Sequence, residues 1–397
     1  VRRILFVANG HGETAIAARI ALEIERACPV PVGLDLFPLV GTGAGGAPLG
    51  VVGPRRNLPS GGLVAMGNVR AFSRDLAAGF TGLLGRQLAF IAAAGRTYEA
   101  IVAVGDAYAL GFALAARLPA VFVGTAKSVY VAPYGPFERT LLRRVVRAFV
   151  RDEATAQRLR ALHVRVEAPG NVIVDLAGPP LQTRAPFGLG LLPGSRDDAY
   201  ADGVRLARVV RAMPERGPDF GGLLSIAPTL DPARFARALG ADGWRIAPGP
   251  STRLGTAGPG VAFEAETDAE ASGERKPRLV GWNGGLETVL ASSVAVLGQA
   301  GTGNEQAAAA GVPVVALDRK ARFGRRSGGD WYRMRQRRLL GEALLLVPQD
   351  PARAAAEIAG LLDDPERLQR MSEAGRLRMG PPGGAAAIAR AILEVVA

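Results

Sequence analysis

The sequence predicts an α/β chain of two doubly wound, largely parallel sheets, and three observations lead there. Strand-like apolar runs alternate with helix-like stretches from end to end, the order that builds parallel sheets covered by helices. A chain of 397 residues is long for one core, so two domains are expected. A Pro-rich stretch, Ala177 to Gly188, has the composition of a hinge near the middle.

The first half opens with Ile4–Ala8 as a buried strand and a helix from about Glu13. The basic residues before that run resemble an export signal, but the apolar part is short and no small-residue cleavage site follows. Ala100–Val104 leads into a helix from about Tyr108, and Ala120–Val123, Val145–Val150 and Val164–Ala168 are further strand candidates. The second half restarts with Gly188–Leu192, a helix from about Asp198, Gly222–Ile226 and a helix from Pro232. Pro248 to Pro277, rich in Gly, Pro and acidic residues, is expected to be a surface hairpin.

The most informative segment is GQAGTGNEQAAAAGVPVVAL, Gly298 to Leu317. It follows the apolar run Val294–Leu297, passes through a loop of small residues, and forms a helix over Glu305–Ala310 that Gly311 and Pro313 end. Small residues there let a ligand approach the backbone, and free helix N–H groups with a positive dipole end favour phosphate. Glu305 in the first turn would repel that phosphate, so its carboxylate fits better as an acceptor for the two hydroxyls of a ribose. A nucleoside diphosphate carrying a sugar suits both features. The alternative is a plain strand-to-helix turn with a favourable first-turn charge.

Composition narrows the rest. The net charge is +12, with 20 Lys+Arg and 12 Asp+Glu up to Gly178 against 28 and 24 beyond it. Such a basic first half suits nucleic acid or anionic lipid. Aromatics are 6% of residues and are not interleaved with basic ones, which argues against base stacking and leaves lipid as the expected partner, with no nucleic acid. No uncharged apolar run reaches the roughly 18 residues of a membrane span. Cys28 is the single cysteine, which excludes an internal disulfide and fits a cytoplasmic location. With His11 and His163 as the only histidines, a His/Cys zinc site is not expected, although carboxylate-bound magnesium stays open. No metal site is assigned and no cofactor beyond a nucleotide-sugar co-substrate is expected.

Four segments in order carry a family resemblance. NGHGE (Asn9–Glu13), GNVIVDL (Gly170–Leu176), LLPGSRDD (Leu191–Asp198) and GQAGTGNEQ (Gly298–Gln306) resemble the lipid-A-disaccharide synthase-related proteins. More distantly they resemble the lipid-A-disaccharide synthases and the peptidoglycan UDP-GlcNAc transferase. The resemblance implies a GT-B architecture, two Rossmann-like domains facing a central cleft. It places an acceptor domain at 1–178, a UDP-sugar domain at 186–375 and a C-terminal helix at 376–397 that packs back on the first domain. It also implies an inverting transfer of a hexose or hexosamine to a lipid-linked acceptor, with peripheral association at the inner, anionic membrane face.

Site residues follow from pattern and resemblance together. Gly194, Ser195 and Arg196 would meet the diphosphate opposite Gly301, Thr302, Gly303 and Asn304, or else Ser195 is a helix cap and Arg196 is solvated. Asp106 follows a strand at its carboxyl end, so it is either the general base or an N-cap for the next helix. His11 with Glu13 is a second acid/base pair, in the loop with Gly10 and Gly12. The resemblance puts Trp282 and Asn283 at uracil, although Trp282 also suits a core. It puts Arg319–Arg326 and Gln336 near the donor sugar, whereas Lys127 and Ser128, after Ala120–Val123, are placed to contact acceptor or phosphate. Asn171 with Asp175 either shapes the cleft rim or hinge or serves as turn residue and strand terminator. RKARFGRRSGGDWYRM, Arg319 to Met334, is more basic than the family's segment and leaves the sugar unidentified.

Leu76, Phe80, Leu83, Leu84, Leu88 and Ile91 fall on one helical face beside Arg74, Arg86 and Arg96. That face either rests on a membrane or packs on the first sheet. A UDP-sugar 2-epimerase is an alternative on the same fold, and a non-catalytic nucleotide-sugar or lipid-binding protein is another. The oligomeric state is left open.

Overall fold

The computed structural model describes residues 2–43, 45–56, 79–176, 188–217, 220–248, 260–267, 278–318 and 328–397. The chain divides into two compact units: Val1–Leu176 with Gly380–Ala397, and Ala177–Met379.

Unit 1 comprises β1 (Arg3–Ala8), α1 (His11–Ala27), β2 (Gly33–Pro38), β3 (Gly50–Val51), α2 (Phe80–Ala93), β4 (Ala100–Gly105), α3 (Ala107–Ala115), β5 (Ala120–Gly124), α4 (Pro136–Leu142), β6 (Arg147–Phe149) and α5 (Glu153–Ala161). Its six strands are parallel in the order β3-β2-β1-β4-β5-β6. Every residue of β4 and β5 is buried, as expected of parallel strands covered on both faces. Strand order reverses between β1 and β4, the place where such sheets leave a crevice at their carboxyl ends.

Asp35 would disrupt a buried strand such as β2 unless it were paired. Arg3 Nη2 lies 2.5 Å from its carboxylate, and the Tyr98 hydroxyl donates to it at 2.9 Å. Val164–Ala168, expected as a strand, contributes only an isolated bridge between Phe149 and Glu167. Val172–Leu176, within the GNVIVDL segment, is a 3-10 turn.

Unit 2 comprises β7 (Gly188–Leu192), α6 (Asp198–Arg211), β8 (Gly221–Ser225), α7 (Pro232–Ala241), β9 (Arg245–Pro248), β10 (Val261–Glu266), β11 (Arg278–Trp282), α8 (Leu286–Ala291), β12 (Ser293–Gly298), α9 (Thr302–Ala309), β13 (Val314–Leu317), α10 (Gly328–Leu340), β14 (Leu344–Val347), α11 (Pro351–Leu362) and α12 (Pro365–Met379). The sheet runs β14-β13-β12-β7-β8-β11-β10-β9. Six strands are parallel, and β10 is antiparallel to both β9 and β11, so the excursion expected around Pro248–Pro277 extends the sheet edge. Strand order reverses between β7 and β12.

The chain then returns to unit 1 as α13 (Gly384–Val395). Its apolar residues Ile388, Ala389 and Ile392 are buried, and Asp175 secures its start. One carboxylate oxygen accepts from Gly383 N at 2.6 Å and the other from Ala385 N at 2.7 Å. Gly170 and Gly384 approach so closely that a Cβ on Gly384 would meet the Gly170 carbonyl at 2.5 Å.

The expected lipid-facing helix is mostly turned inward. Phe80, Leu83 and Ile91 of α2 are buried, Leu84 is half-buried, and Leu88 is 45% exposed. Leu76 and Arg74 lie outside the described residues. Among the described residues no helix is long and apolar enough to cross a membrane.

Replacing Asp175 by Ala strands two N–H groups at the head of α13 and should cost about 3 kcal/mol, read by urea unfolding. Hydrogen exchange over α13 should rise in parallel; unchanged exchange would rule out the pin. Alkaline pH gives a second expectation. Burial, then the Asp35 hydrogen bond, pushes the Tyr98 phenol from 10.0 up to about 12. An unfolded chain loses that proton first, so stability is full below about pH 10 and declines as pH rises toward 12. A pH series of melting temperatures, run beside phenolate absorbance, checks the sign.

Candidate functional site

The reversal point of unit 2 is built from two loops that share one carbonyl. Leu192 O, at the end of β7, accepts from Gln299 N at 2.8 Å and Ala300 N at 3.0 Å, which ties the β7 and β12 exits together. Beyond β7 the chain turns at Gly194, whose φ of +116° suits glycine, and exposes Ser195 and Arg196. Neither side chain has a partner among the described residues. Ser195 O accepts from the Thr229 hydroxyl at 3.1 Å, so the loop's main chain is held while its side chains are free.

Helix capping varies along the chain, and α1, α2 and α8 start on glycines without a side-chain cap. Asp152, Asp231 and Asp350 each accept a first-turn N–H at the heads of α5, α7 and α11. No side chain caps α6 or α9, the two helices that start at the reversal point of unit 2. Asp197, heading α6, instead pairs with Arg234 at 3.1 Å. Two uncapped N-termini and one unpartnered guanidinium therefore converge where the sheet opens. The site is suited to an anion.

The helix expected over Glu305–Ala310 begins three residues earlier, so Thr302, Gly303, Asn304 and Glu305 all lie in the first turn of α9. Asn304, expected at the nucleotide, is fully buried and turned away from the helix mouth. Its Nδ2 donates to Gly298 O at 3.3 Å and Gln336 Oε1 at 3.1 Å. A Cβ on Gly298 would collide with the Asn304 carboxamide, so glycine is required there. Gln336, expected near the donor sugar, is also buried. Its Nε2 donates to Ala300 O at 3.0 Å and Gly301 O at 3.2 Å, and Arg333 Nη1 donates to its Oε1 at 2.7 Å. Arg333 Nη2 also donates to Gln299 Oε1.

Trp282, expected at uracil, is buried with its ring against Gly260 and Gly284, and its Nε1 donates to Gly285 O at 3.0 Å. It is a core residue, because no face of the ring is open. Asn283 is exposed and its main-chain N donates to Gly260 O at 2.8 Å. Arg319–Arg326 lie outside the described residues.

The reversal point of unit 1 has a carboxylate capping one of its helices. Asp106 heads α3, with Oδ1 accepting from Tyr108 N at 3.0 Å and Ala109 N at 3.2 Å. Its Oδ2 accepts from Asn9 Nδ2 at 3.2 Å, across the β1 and β4 exits. Glu13, in the first turn of α1, lies against Gly10 and Gly105. A Cβ on Gly10 would stand 2.8 Å from Glu13 Oε2, and one on Gly105 would stand 3.1 Å from its Cγ. Both glycines also have strongly positive φ, so no other residue fits. Gly12 and His11 belong to the first turn of α1, and the His11 side chain lies outside the described residues.

Tyr108, beside Asp106, has its phenol pushed up to about 12, first by burial and then by the Asp106 carboxylate, so it keeps its proton at neutral pH. Lys127 pairs with Glu138 at 2.6 Å and lies over the Tyr134 ring. Ser128 is buried and its hydroxyl accepts from Tyr130 N at 3.3 Å. Asn171 is buried and accepts from Ile173 N at 3.2 Å, a turn contact beside the α13 pin. Asp106, Glu13, Asn9 and Tyr108 are thus assembled at this point, while Lys127 is neutralised by its own neighbour.

No protein-family model matches the chain, and no curated protein does. Solved structures do. MurG of Acinetobacter baumannii aligns with a TM-score of 0.57 and 13% identity, covering 99% of this chain and all of that one. UDP-GlcNAc 2-epimerase from Neisseria meningitidis, bound to UDP-GlcNAc, aligns at 0.51 and 14%, covering 99% of each chain. The spinosyn rhamnosyltransferase SpnG, complexed with thymidine diphosphate, aligns at 0.56 and 16%, covering 98% of this chain and all of that one. The chain has the GT-B fold. At these identities the likeness establishes architecture alone.

Sequence reasoning missed Arg333, Gln299, Asn9 and Tyr108. Asn9 and Tyr108 adjoin residues that were singled out, and a polar residue directly after a buried strand is a usable signal. Arg333 and Gln336 share a helix face at a spacing of three, but the sequence alone gives no hint that this face meets Gly298–Gly301.

Proposed function

We propose that the chain is an inverting glycosyltransferase that moves a hexose or hexosamine from a UDP-sugar to a lipid-linked acceptor. The observation that carries this reading is the contrast between the two reversal points. Unit 2 offers uncapped helix mouths and Arg196, which suit a diphosphate. Unit 1 offers the carboxylates of Asp106 and Glu13, which repel phosphate and suit proton transfer. A sugar transferase needs one environment of each kind.

In this reading Arg196, Ser195 and the N–H groups of Thr302 and Gly303 hold the diphosphate and stabilise the negative charge that builds as it leaves. Glu305 accepts from the ribose hydroxyls. The acceptor hydroxyl attacks the anomeric carbon from the face opposite the leaving diphosphate, and its proton passes to Asp106, or to His11 or Glu13. The C1–oxygen bond to UDP breaks with its electron pair going to the diphosphate, and the sugar inverts. A lipid-linked acceptor is supported by the basic first half and by the family resemblance. Contact of α2 with an anionic, inner membrane face would be confined to Leu88 and its neighbours, because Phe80, Leu83 and Ile91 are packed inside.

Epimerisation at C2 of a UDP-sugar is the second reading, since an epimerase bound to UDP-GlcNAc shares the fold over 99% of both chains. Incubating the protein with UDP-GlcNAc alone separates the two: appearance of the C2 epimer without acceptor supports the second and sinks the first.

Two outcomes test the transferase reading directly. UDP at 100 times its Kd should stabilise the fold by about 2.7 kcal/mol, seen as a raised melting temperature, and Glu305→Gln should narrow the preference for UDP over 2′-deoxy-UDP. Asp106→Asn keeps a capping oxygen but is a far weaker base, so kcat should fall roughly 100-fold or more with the melting temperature little changed. Full turnover in that variant removes Asp106 from the chemistry.

A further inference from the structure

Gln336 has no hydrogen-bonding capacity left for a ligand. A carboxamide offers two N–H donors and two acceptor lone pairs. Gln336 Nε2 donates to Ala300 O and Gly301 O, and Oε1 accepts from Asn304 Nδ2 and Arg333 Nη1. The orientation of the amide is fixed by its partners, because two carbonyls need the NH2 end and a guanidinium needs the oxygen. All four positions are filled by protein.

What those bonds hold is the loop before α9. Asn304 fixes Gly298 O, Arg333 fixes the Gln299 side chain, and Gln336 fixes Ala300 O and Gly301 O. Each of the four loop residues is thus gripped by one of three buried side chains. Leu192 O, accepting from the Gln299 and Ala300 amides, holds the same loop from the β7 side. With Gly298–Gly301 drawn toward α10, the Thr302 and Gly303 N–H groups at the helix mouth are left without a capping side chain.

We infer that Gln336 and Arg333 are positioning residues that shape the diphosphate-binding mouth of α9, and that they do not read the sugar the nucleotide carries. This rests on the proposal that unit 2 binds a nucleoside diphosphate. It predicts that damage to the network weakens UDP and UDP-sugar by the same factor. A side chain that touched the sugar would weaken only the UDP-sugar.

The test is calorimetric binding of UDP and of UDP-GlcNAc to the full chain, comparing the wild type with Gln336→Glu and Gln299→Ala. Gln336→Glu places a carboxylate against two carbonyl oxygens and removes both donors, so each affinity should fall about tenfold or more with their ratio unchanged. Lowering the pH protonates that carboxyl, restores one donor, and should recover part of the loss; a merely structural lesion would not respond this way. Gln299→Ala, which removes one partner of Arg333 without entering the core, should give a smaller parallel loss, and it decides the matter alone if Gln336→Glu does not fold. Weakened UDP-GlcNAc binding with intact UDP binding overturns the inference, as do unchanged affinities for both. A wild type that binds neither nucleotide overturns the reading of unit 2 itself, and the inference falls with it.

Discussion

Unit 2 keeps two helix N-termini without side-chain caps next to a loop whose main chain is held by buried side chains. An uncapped helix end costs on the order of 1 kcal/mol relative to one with a Ser, Thr or Asp cap, and the chain shows elsewhere that it can avoid that cost. α5, α7 and α11 all start on an aspartate that accepts a first-turn N–H. At α6 the aspartate is present but turned to Arg234, and at α9 the cap is Gly301. α1, α2 and α8 also start on glycines without a side-chain cap, but among the described residues only at α6 and α9 do two uncapped ends stand together beside the unit 2 strand exits. Such a residue choice makes sense when a ligand supplies the missing acceptor.

Openness of that kind must be enforced, since a floppy glycine loop would collapse onto its own helix. Enforcement comes from the layer beneath. Leu192 O ties two strand exits together, Asn304 and Gln336 pull the loop's carbonyls inward, and Arg333 holds the Gln299 and Gln336 side chains. Gly298 allows this because any Cβ would strike the Asn304 amide. The glycine at 298 is needed for close approach of a side chain from below, Gly303 packs closely against Ala300, and Gly301 faces open space. Within one short motif, glycines serve two distinct purposes.

Much of this was legible in the sequence, and the failures have specific causes. β1, β4, β7 and β12 announce themselves because strands buried on both faces are unbroken apolar runs. β2 does not, because Asp35 interrupts it, and only the structure brings Arg3 and Tyr98 to that carboxylate. GNVIVDL has the composition of a strand but forms a 3-10 turn, because Asp175 is occupied in capping a helix more than two hundred residues later. The α2 face shows the limit of periodicity. A helical stripe predicts burial against something, and sequence cannot say whether that is lipid or the protein's own core. Gln336 was placed near the donor sugar by the family resemblance, but its grip on the loop could not be read, because that loop lies more than thirty positions away.

The two reversal points share a layout and differ in their side chains. Both units place strand exits, a glycine-lined loop and a helix start at the same topological position. What differs is the side chain at the helix head. Asp106 fills the mouth of α3 with negative charge and accepts two amides, whereas α6 and α9 leave theirs open. The architecture does not dictate that choice: the same strand exits accept a capping aspartate at one helix head and a glycine at another, so what a mouth can bind is decided by the side chains placed there and not by the fold.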